Sequence, residues 1–177
     1  MSNAAKPDFV IDIFLQPGEF YFGDHESRIK TILGSCVAIT MWHPRLKIGG
    51  MCHYLLPERQ KDANQSEFDG RYADEAMLLF LHELIKSGTK PSDYEVKMFG
   101  GGDQFPTHSQ FSQSSVPGKN IDIGINLLKL HGFKLKAKHL GGIGYRNIIF
   151  DVWSGHIWMR HVDTQAQGKK HAKHKKN

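Results

Sequence analysis

The chain of 177 residues is poor in cysteine and contains no long apolar run. Because no stretch of about 18 consecutive apolar residues occurs, no membrane span is predicted. Residues 1–8 lack the apolar core of a secretory signal, so we expect a cytoplasmic location. Cys36 and Cys52 are the two cysteines. They are too few for a thiolate zinc site, although the eleven histidines leave other kinds of metal site open. A cytoplasmic location argues against a disulfide between the two cysteines.

Positive charge is concentrated at one end of the chain. The formal net charge is +5, and five lysines after Gly168, with no acid among them, account for all of it. A segment of this composition typically stays solvated, so we expect residues 164–177 to form a disordered tail. No aromatic residues alternate with the lysines. We therefore expect no specific nucleic-acid partner, although weak binding to acidic surfaces stays open.

Apolar periodicity predicts an α+β fold. Alternating runs predict about seven strands, including a hairpin of residues 37–42 and 47–56. Helical periodicity favours helices over residues 69–86 and 121–130. Strands and helices are mostly segregated along the chain, which is typical of an α+β domain. We expect residues 1–8 to be flexible and residues 9–163 to form a single domain.

The predicted hairpin brings a thiol and an imidazole together. If Trp42 pairs with Lys47, an unbroken antiparallel ladder places Cys36 directly opposite His53, with Cβ atoms about 5 Å apart. A neighbouring imidazole can accept the thiol proton and later return it to a leaving amine. Cys52 points to the other face and is interpreted as a small core residue. A cysteine and a histidine on one hairpin are also common as ordinary structural residues.

A developing negative charge near this thiol would need hydrogen-bond donors. The backbone N–H groups of Gly34, Ser35 and Val37 are candidates, because glycine lets a substrate approach the main chain closely.

Two segments around these residues resemble a known family. Residues 31–39 have the sequence Thr-Ile-Leu-Gly-Ser-Cys-Val-Ala-Ile, and residues 50–57 have Gly-Met-Cys-His-Tyr-Leu-Leu-Pro. Both resemble segments of the bacterial chemotaxis family CheD. Further similar segments follow in the same order at residues 98–101, 117–120, 140–142, 149–151 and 154–155. The similarity extends over residues 10 to 162.

The resemblance implies an activity and a fold. CheD proteins are chemoreceptor glutamine deamidases, which convert glutamine side chains of methyl-accepting chemotaxis proteins to glutamate through a cysteine thioester and without a metal or other cofactor. The implied fold is a β-sandwich with two to three outer helices, similar to the catalytic domain of cytotoxic necrotizing factor. In some bacteria a CheC-type phosphatase is the partner.

The resemblance also implies roles for particular residues. Cys36 matches the nucleophile and His53 the general base. The third member of the family's site is a threonine upstream of the cysteine. Here Thr31 lies one residue closer to Cys36 than expected, and Lys30 occupies the expected position. Either a local irregularity restores the threonine or another group orients His53.

Three other functions are open at this point. The same thiol and imidazole would serve a receptor methylesterase or another amidase. The chain could instead be a non-catalytic adaptor that binds receptors or a CheC-type phosphatase. A third alternative is a binder of nucleic acid or membrane surfaces that acts through the basic tail.

Overall fold

The computed structural model describes residues 5–59, 67–104 and 115–164. Most of the predicted basic tail and half of the predicted flexible N-terminus lie outside these residues. Much of the polar segment between the hairpin and the first helix does so too. The division of the chain into a flexible start, one domain and a tail stays a prediction.

Two β-sheets and two α-helices make up the described residues, and the predicted α+β class is confirmed. About seven strands were predicted, whereas nine are present in the part that the structure describes. The helices are α1 (Ala73–Lys86) and α2 (Val116–Leu130), and a 3-10 turn spans Pro91–Asp93. The strands are β1 (Ile11–Phe14), β2 (Phe20–Gly23), β3 (Ser27–Leu33), β4 (Val37–His43), β5 (Ile48–Tyr54), β6 (Glu95–Gly100), β7 (Leu135–Leu140), β8 (Tyr145–Asp151) and β9 (His156–Val162). Similarity to cytotoxic necrotizing factor stays a prediction.

The molecule has three layers. An outer sheet has the order β1-β3-β8-β9, and a central sheet has the order β2-β5-β4-β6-β7. One apolar cluster lies between the two sheets, and a second lies between the central sheet and the two helices. The central strands β4 and β5 are buried on both faces, so they contribute alternate side chains to the two clusters. No helix in the described part of the chain is long and apolar enough to cross a membrane.

Helix α1 buries the apolar face that its periodicity predicts. Its buried residues are Ala73, Ala76, Met77, Phe80 and Leu84. The helix begins at Ala73 rather than at residue 69, because the preceding residues form a turn and Tyr72 makes a β-bridge to Leu56. The N–H of Ala73 donates to the carbonyl oxygen of Leu56 (2.9 Å), which ties the start of the helix to the segment after β5.

The predicted register of the β4–β5 hairpin is wrong. Trp42 pairs with Gly49 and His43 pairs with Ile48, so the four-residue turn begins one residue later than predicted. The reason lies at Lys47, which adopts a left-handed φ of 54°. Its N–H donates to the carbonyl oxygen of His43 (2.9 Å), and this bond keeps Lys47 in the turn.

This register changes the neighbour of the histidine. His53 lies opposite Ala38, and Cys36 precedes the first ladder residue, Val37. The direct opposition of Cys36 and His53 is therefore incorrect. The register differs from the predicted one by an even number of residues, so Cys36 is two positions along from the residue that faces His53. In a ladder such diagonal neighbours are about 7–8 Å apart and remain within reach of long side chains.

Strand β3 decides which residue faces the site. Its ladder with β8 runs without a shift from Arg28 to Leu33. The inward residues Ile29, Thr31 and Leu33 are buried. Lys30 points the other way, and its Nζ lies 2.7 Å from a carboxylate oxygen of Asp12. The strand is regular, so Thr31 faces the inter-sheet space without any irregularity.

Helix α2 approaches the central sheet closely at Gly124. A Cβ there would overlap the hydroxyl oxygen of Tyr54 and the methyl group of Met98. The Tyr54 hydroxyl donates to the carbonyl oxygen of Asn120 (2.6 Å), so it has little freedom to move aside. Glycine at this position thus permits the packing of α2 on β5.

We predict that Gly124→Ala lowers the free energy of unfolding. Alanine favours a helix by about 1 kcal/mol over glycine, but overpacking a core typically costs about 1–3 kcal/mol. The change should be measured by urea unfolding, and its cost should shrink in a Tyr54→Phe background because the overlapping oxygen is gone. A more stable Gly124→Ala variant would contradict this account of the helix contact.

Candidate active site

His53 is a fully buried histidine on the face of β5 that points to the outer sheet. Its relative exposure is 0%. Nδ1 lies 2.8 Å from Oγ1 of Thr31, which comes from β3 of the other sheet. The main chain of His53 is also held, because its N–H donates to the carbonyl oxygen of Glu19 (3.0 Å) and its carbonyl oxygen accepts from Gly18 (2.7 Å). The segment before β2 thus fixes the backbone of this residue, and β3 of the outer sheet fixes its ring.

The partners of Nδ1 define the tautomer of the ring. Thr31 Oγ1 donates its only proton to the carbonyl oxygen of Leu15 (2.9 Å). The threonine oxygen therefore acts as an acceptor towards His53, and the proton lies on Nδ1. Nε2 then carries a lone pair, and it is buried without a hydrogen-bond partner among the residues that the structure describes. This nitrogen is free to act as a base.

Burial keeps the ring neutral. Desolvation lowers the pKa of His53 from 6.5 to about 4, while the Leu15 carbonyl and the negative charge of Glu19 oppose the shift. At neutral pH the imidazole is thus uncharged, which is the form that can accept a proton. Thr31, predicted with a doubt about its face, is the side chain that holds His53, whereas the catalytic role of both residues stays a prediction.

Cys36 lies in the bend between β3 and β4 and is half-buried. Burial raises the pKa of its thiol, and a hydrogen bond from the Ser35 side chain opposes the shift. No hydrogen bond joins the thiol to His53 Nε2 within the described residues. Burial thus favours the neutral form of both the Cys36 thiol and the His53 imidazole, which disfavours an ion pair between them in the absence of substrate.

The main chain around the thiol is held by a glycine segment (Gly100–Gly102) at the end of β6. The N–H of Gly101 donates to the carbonyl oxygen of Cys36 (2.8 Å), and the N–H of Gly102 donates to that of Gly34 (2.9 Å). Gly100 has a φ of 115°, and a Cβ on it would overlap the carbonyl oxygen of Cys36. Only glycine allows this approach.

Candidate oxyanion donors belong to the same bend. The N–H groups of Gly34 and Ser35 donate to no backbone carbonyl within the described ranges. Val37 is already in the ladder, opposite Tyr54 and Gly100, which makes it the weakest of the predicted donors. Gly34 and Ser35 are thus the available amides next to the thiol.

Cys52 is placed differently from Cys36. It is fully buried, with 0% relative exposure, in the apolar cluster between the central sheet and the helices. Burial raises the pKa of Cys52 to about 12, so this thiol is inert. In the part of the chain that the structure describes, no three histidine, cysteine, aspartate or glutamate side chains converge to hold a metal ion.

Several contributors to the site were not found from the sequence. The carbonyl of Leu15 and the amides of the glycine segment are main-chain groups, and no side-chain pattern signals them. Arg146, which is buried behind the glycine segment, was not predicted either. A single arginine in a strand carries no signal of its burial until the partner strands are known.

Comparison with known proteins gives consistent results. Residues 55–161 match a family model described as CheD chemotactic sensory transduction. A protein of Pseudomonas savastanoi pv. phaseolicola named "Probable chemoreceptor glutamine deamidase CheD" is 46% identical, over 90% of each chain. A protein of Dechloromonas aromatica with the same name numbered 3 is 45% identical, over 88% of this chain and 91% of its own. One from Leptospira interrogans, numbered 1, is 39% identical, over 87% of this chain and 95% of its own.

The extent of these matches matters for the site. The family model begins at residue 55, after Cys36 and His53. The match to the Pseudomonas savastanoi protein covers 90% of this chain, so the part that contains Thr31, Cys36 and His53 lies within it. The resemblance seen in the sequence therefore rests on more than the short motifs.

We predict that the buried neutral histidine makes the protein sensitive to acid. The unfolded chain binds a proton at His53 near pH 6.5, whereas the folded chain binds it near pH 4. The unfolded state therefore gains protons first as the pH falls, and stability drops between pH 6.5 and 4 by about 3 kcal/mol from this residue. Urea unfolding across this range should show a shallower loss for His53→Gln than for the wild type. Equal slopes would show that His53 is not held neutral.

Proposed function

Because this chain belongs to the CheD family, we propose that it hydrolyses glutamine side chains of chemoreceptors to glutamate and releases ammonia. The relatives that match almost the whole chain carry the name of this activity. One structural observation supports it most directly: Thr31 holds the ring of His53 with Nε2 unprotonated, and Cys36 lies two residues before the strand partner of His53. A thiol, a base and a group that orients the base are the minimum for cysteine-dependent amide hydrolysis.

The first half of the reaction forms a thioester. The Cys36 thiol gives its proton to Nε2 of His53 as the sulfur attacks the carboxamide carbon of the substrate. The carbonyl oxygen gains the negative charge, and the N–H groups of Gly34 and Ser35 donate to it. The protonated His53 then donates to the leaving nitrogen, the carbon–nitrogen bond breaks and ammonia departs.

The second half restores the enzyme. A water molecule gives a proton to Nε2 of His53 as its oxygen attacks the thioester carbon. The carbon–sulfur bond breaks, the sulfur takes the proton back from the imidazolium, and the glutamate side chain is released. The sum is one amide and one water converted to one carboxylic acid and one ammonia. No metal or organic cofactor enters either half.

The neutral resting state has a consequence for this mechanism. Burial raises the pKa of the Cys36 thiol and lowers that of His53. Both shifts oppose an ion pair between them, so transfer of the proton occurs with attack on the substrate rather than before it. The oxygen of a bound carboxamide takes up the negative charge that forms during the attack, and the neighbouring amides donate to it.

The setting of the reaction is part of the proposal. Both cysteines are free thiols, as a reducing cytoplasm would keep them. The substrate is a chemoreceptor, which is the object named for the relatives. A CheC-type phosphatase as partner stays a prediction from the family resemblance.

We predict that Cys36→Ala abolishes conversion of receptor glutamine to glutamate, because it removes the nucleophile. The measurement is mass spectrometry of a chemoreceptor coexpressed with each variant. The matched control is Cys52→Ala, which removes the other, inert thiol and should retain conversion. Conversion by Cys36→Ala would contradict the thioester mechanism. Release of methanol from methylated receptor, without ammonia from unmethylated receptor, would favour a methylesterase instead.

We predict unequal effects of two substitutions at Thr31. Thr31→Val removes the hydroxyl oxygen that accepts from Nδ1–H of His53 and should lower the turnover rate by about 100-fold, since general-base catalysis typically contributes at least that factor. Thr31→Ser keeps the oxygen and should stay within several-fold of the wild type. Rates should come from ammonia release with a receptor fragment. If valine and serine behave alike, the hydroxyl does not orient the base.

A further inference from the structure

Arg146 is a charged side chain in an unusual place. It lies on β8 of the outer sheet, has 1% relative exposure and is the largest of the fully buried side chains. Arginine is almost never fully buried unless its donors are satisfied, because desolvation of the charge is costly. Across the ladder it pairs with Leu33, the last residue before the bend that contains Cys36. Because burying this charge is costly and the side chain lies next to the site, the contacts of the guanidinium are of interest.

The guanidinium connects the two sheets. Its Nε donates to Nδ1 of His139 (2.8 Å), which lies on β7 of the central sheet. Its Nη2 donates to the carbonyl oxygen of Gly141, just after β7. Its Nη1 has no hydrogen-bond partner among the described residues. A Cβ on Gly102 would lie 3.1 Å from Nη1, so the guanidinium packs directly against the glycine segment.

A continuous set of hydrogen bonds leads from this group to the thiol residue. The N–H of Gly141 donates to the carbonyl oxygen of Gly100 (2.9 Å). The next residue, Gly101, donates to the carbonyl oxygen of Cys36 (2.8 Å). Arg146 therefore holds Gly141, Gly141 holds the glycine segment, and the glycine segment holds the main chain of Cys36.

We propose that Arg146 is a positioning residue, which acts through Gly141 and the glycine segment to hold the Cys36 main chain. In this position the thiol can attack a carboxamide carbon, and the neighbouring amides can donate to the carboxamide oxygen. This inference rests on the proposed function for its catalytic meaning. The hydrogen bonds themselves do not depend on it. Arg146 touches neither the substrate nor the reacting atoms in this scheme.

An arginine suits this place better than a lysine. Its planar fork directs donors to two acceptors at fixed angles, one on each side of the junction between β7 and the segment that follows. His139 must be neutral to accept at Nδ1. Burial lowers the pKa of His139, and the positive charge of Arg146 and the neighbouring His161 lower it further. The pair is therefore compatible at neutral pH.

The test compares two arginines on the same sheet. Arg146→Met keeps the side-chain volume, and replacing a buried charge by an apolar group of similar size is often tolerated. Arg28→Met is the control, because Arg28 pairs with Asp151 at the opposite end of the β3–β8 ladder. We expect the turnover number on a receptor fragment to fall about 100-fold for Arg146→Met with KM unchanged, since a displacement of about 1 Å can cost this factor. Arg28→Met should keep the wild-type turnover number.

A second measurement reports on position without using activity. The amide protons of Gly101 and Gly102 should exchange with solvent at least about 10-fold faster in Arg146→Met than in the wild type, and at wild-type rates in Arg28→Met. Arg146→Lys should lie between, because one ammonium group cannot meet both acceptors.

The outcomes separate the two proposals. If the wild type does not convert receptor glutamine, the proposed function fails, and the exchange rates still show whether Arg146 holds the glycine segment. If the wild type is active and Arg146→Met has the same turnover number, the positioning role is overturned. Unchanged exchange at Gly101 and Gly102 would also overturn it, and so would an equal loss of activity in Arg28→Met.

Discussion

The hydrogen bond between His53 and Thr31 is the interaction on which the rest of the site depends. It joins the central sheet to the outer sheet across 2.8 Å in a region closed to solvent. Because Thr31 gives its own proton to Leu15, the bond also decides which ring nitrogen is protonated. The packing of the two sheets thus sets a chemical property, the position of one proton. The imidazole is therefore held in this tautomer only when both sheets are folded.

The sequence predicts the parts of this arrangement that follow from local pattern. Alternation along β3 to β5 and the helical period of α1 suffice for an α+β fold and for the opposite orientations of Cys52 and His53. Motif resemblance selects Thr31, Cys36 and His53 as a group. The spacing that the resemblance implies places the threonine at the position of Lys30, and it therefore leaves the face of Thr31 open. In the structure β3 is regular, its inward face carries Thr31, and a bend at residues 34–36 separates it from β4.

The remaining errors and omissions have a common physical origin. The hairpin register depends on the left-handed φ of Lys47, which a lysine adopts rarely and which no apolar pattern signals. The hydrogen bonds from the glycine segment to Cys36 join strands that are distant in sequence. The same is true of Arg146, whose burial results from three chain segments meeting. Such features depend on tertiary contacts, and a pattern of single residues carries little information about them.

Holding both the thiol and the imidazole neutral favours selectivity over reactivity. A preformed thiolate would attack many electrophiles and would be open to oxidation, since thiolates are the reactive form of cysteine. Here burial raises the pKa of the Cys36 thiol and lowers that of His53, so both groups are held towards the neutral form before a substrate binds. In the proposed mechanism, the charge that forms during the attack must therefore be stabilised by the bound substrate and the neighbouring amides. An enzyme that modifies particular side chains of another protein benefits when its thiol is uncharged at rest, because electrophiles react mainly with the thiolate form of cysteine.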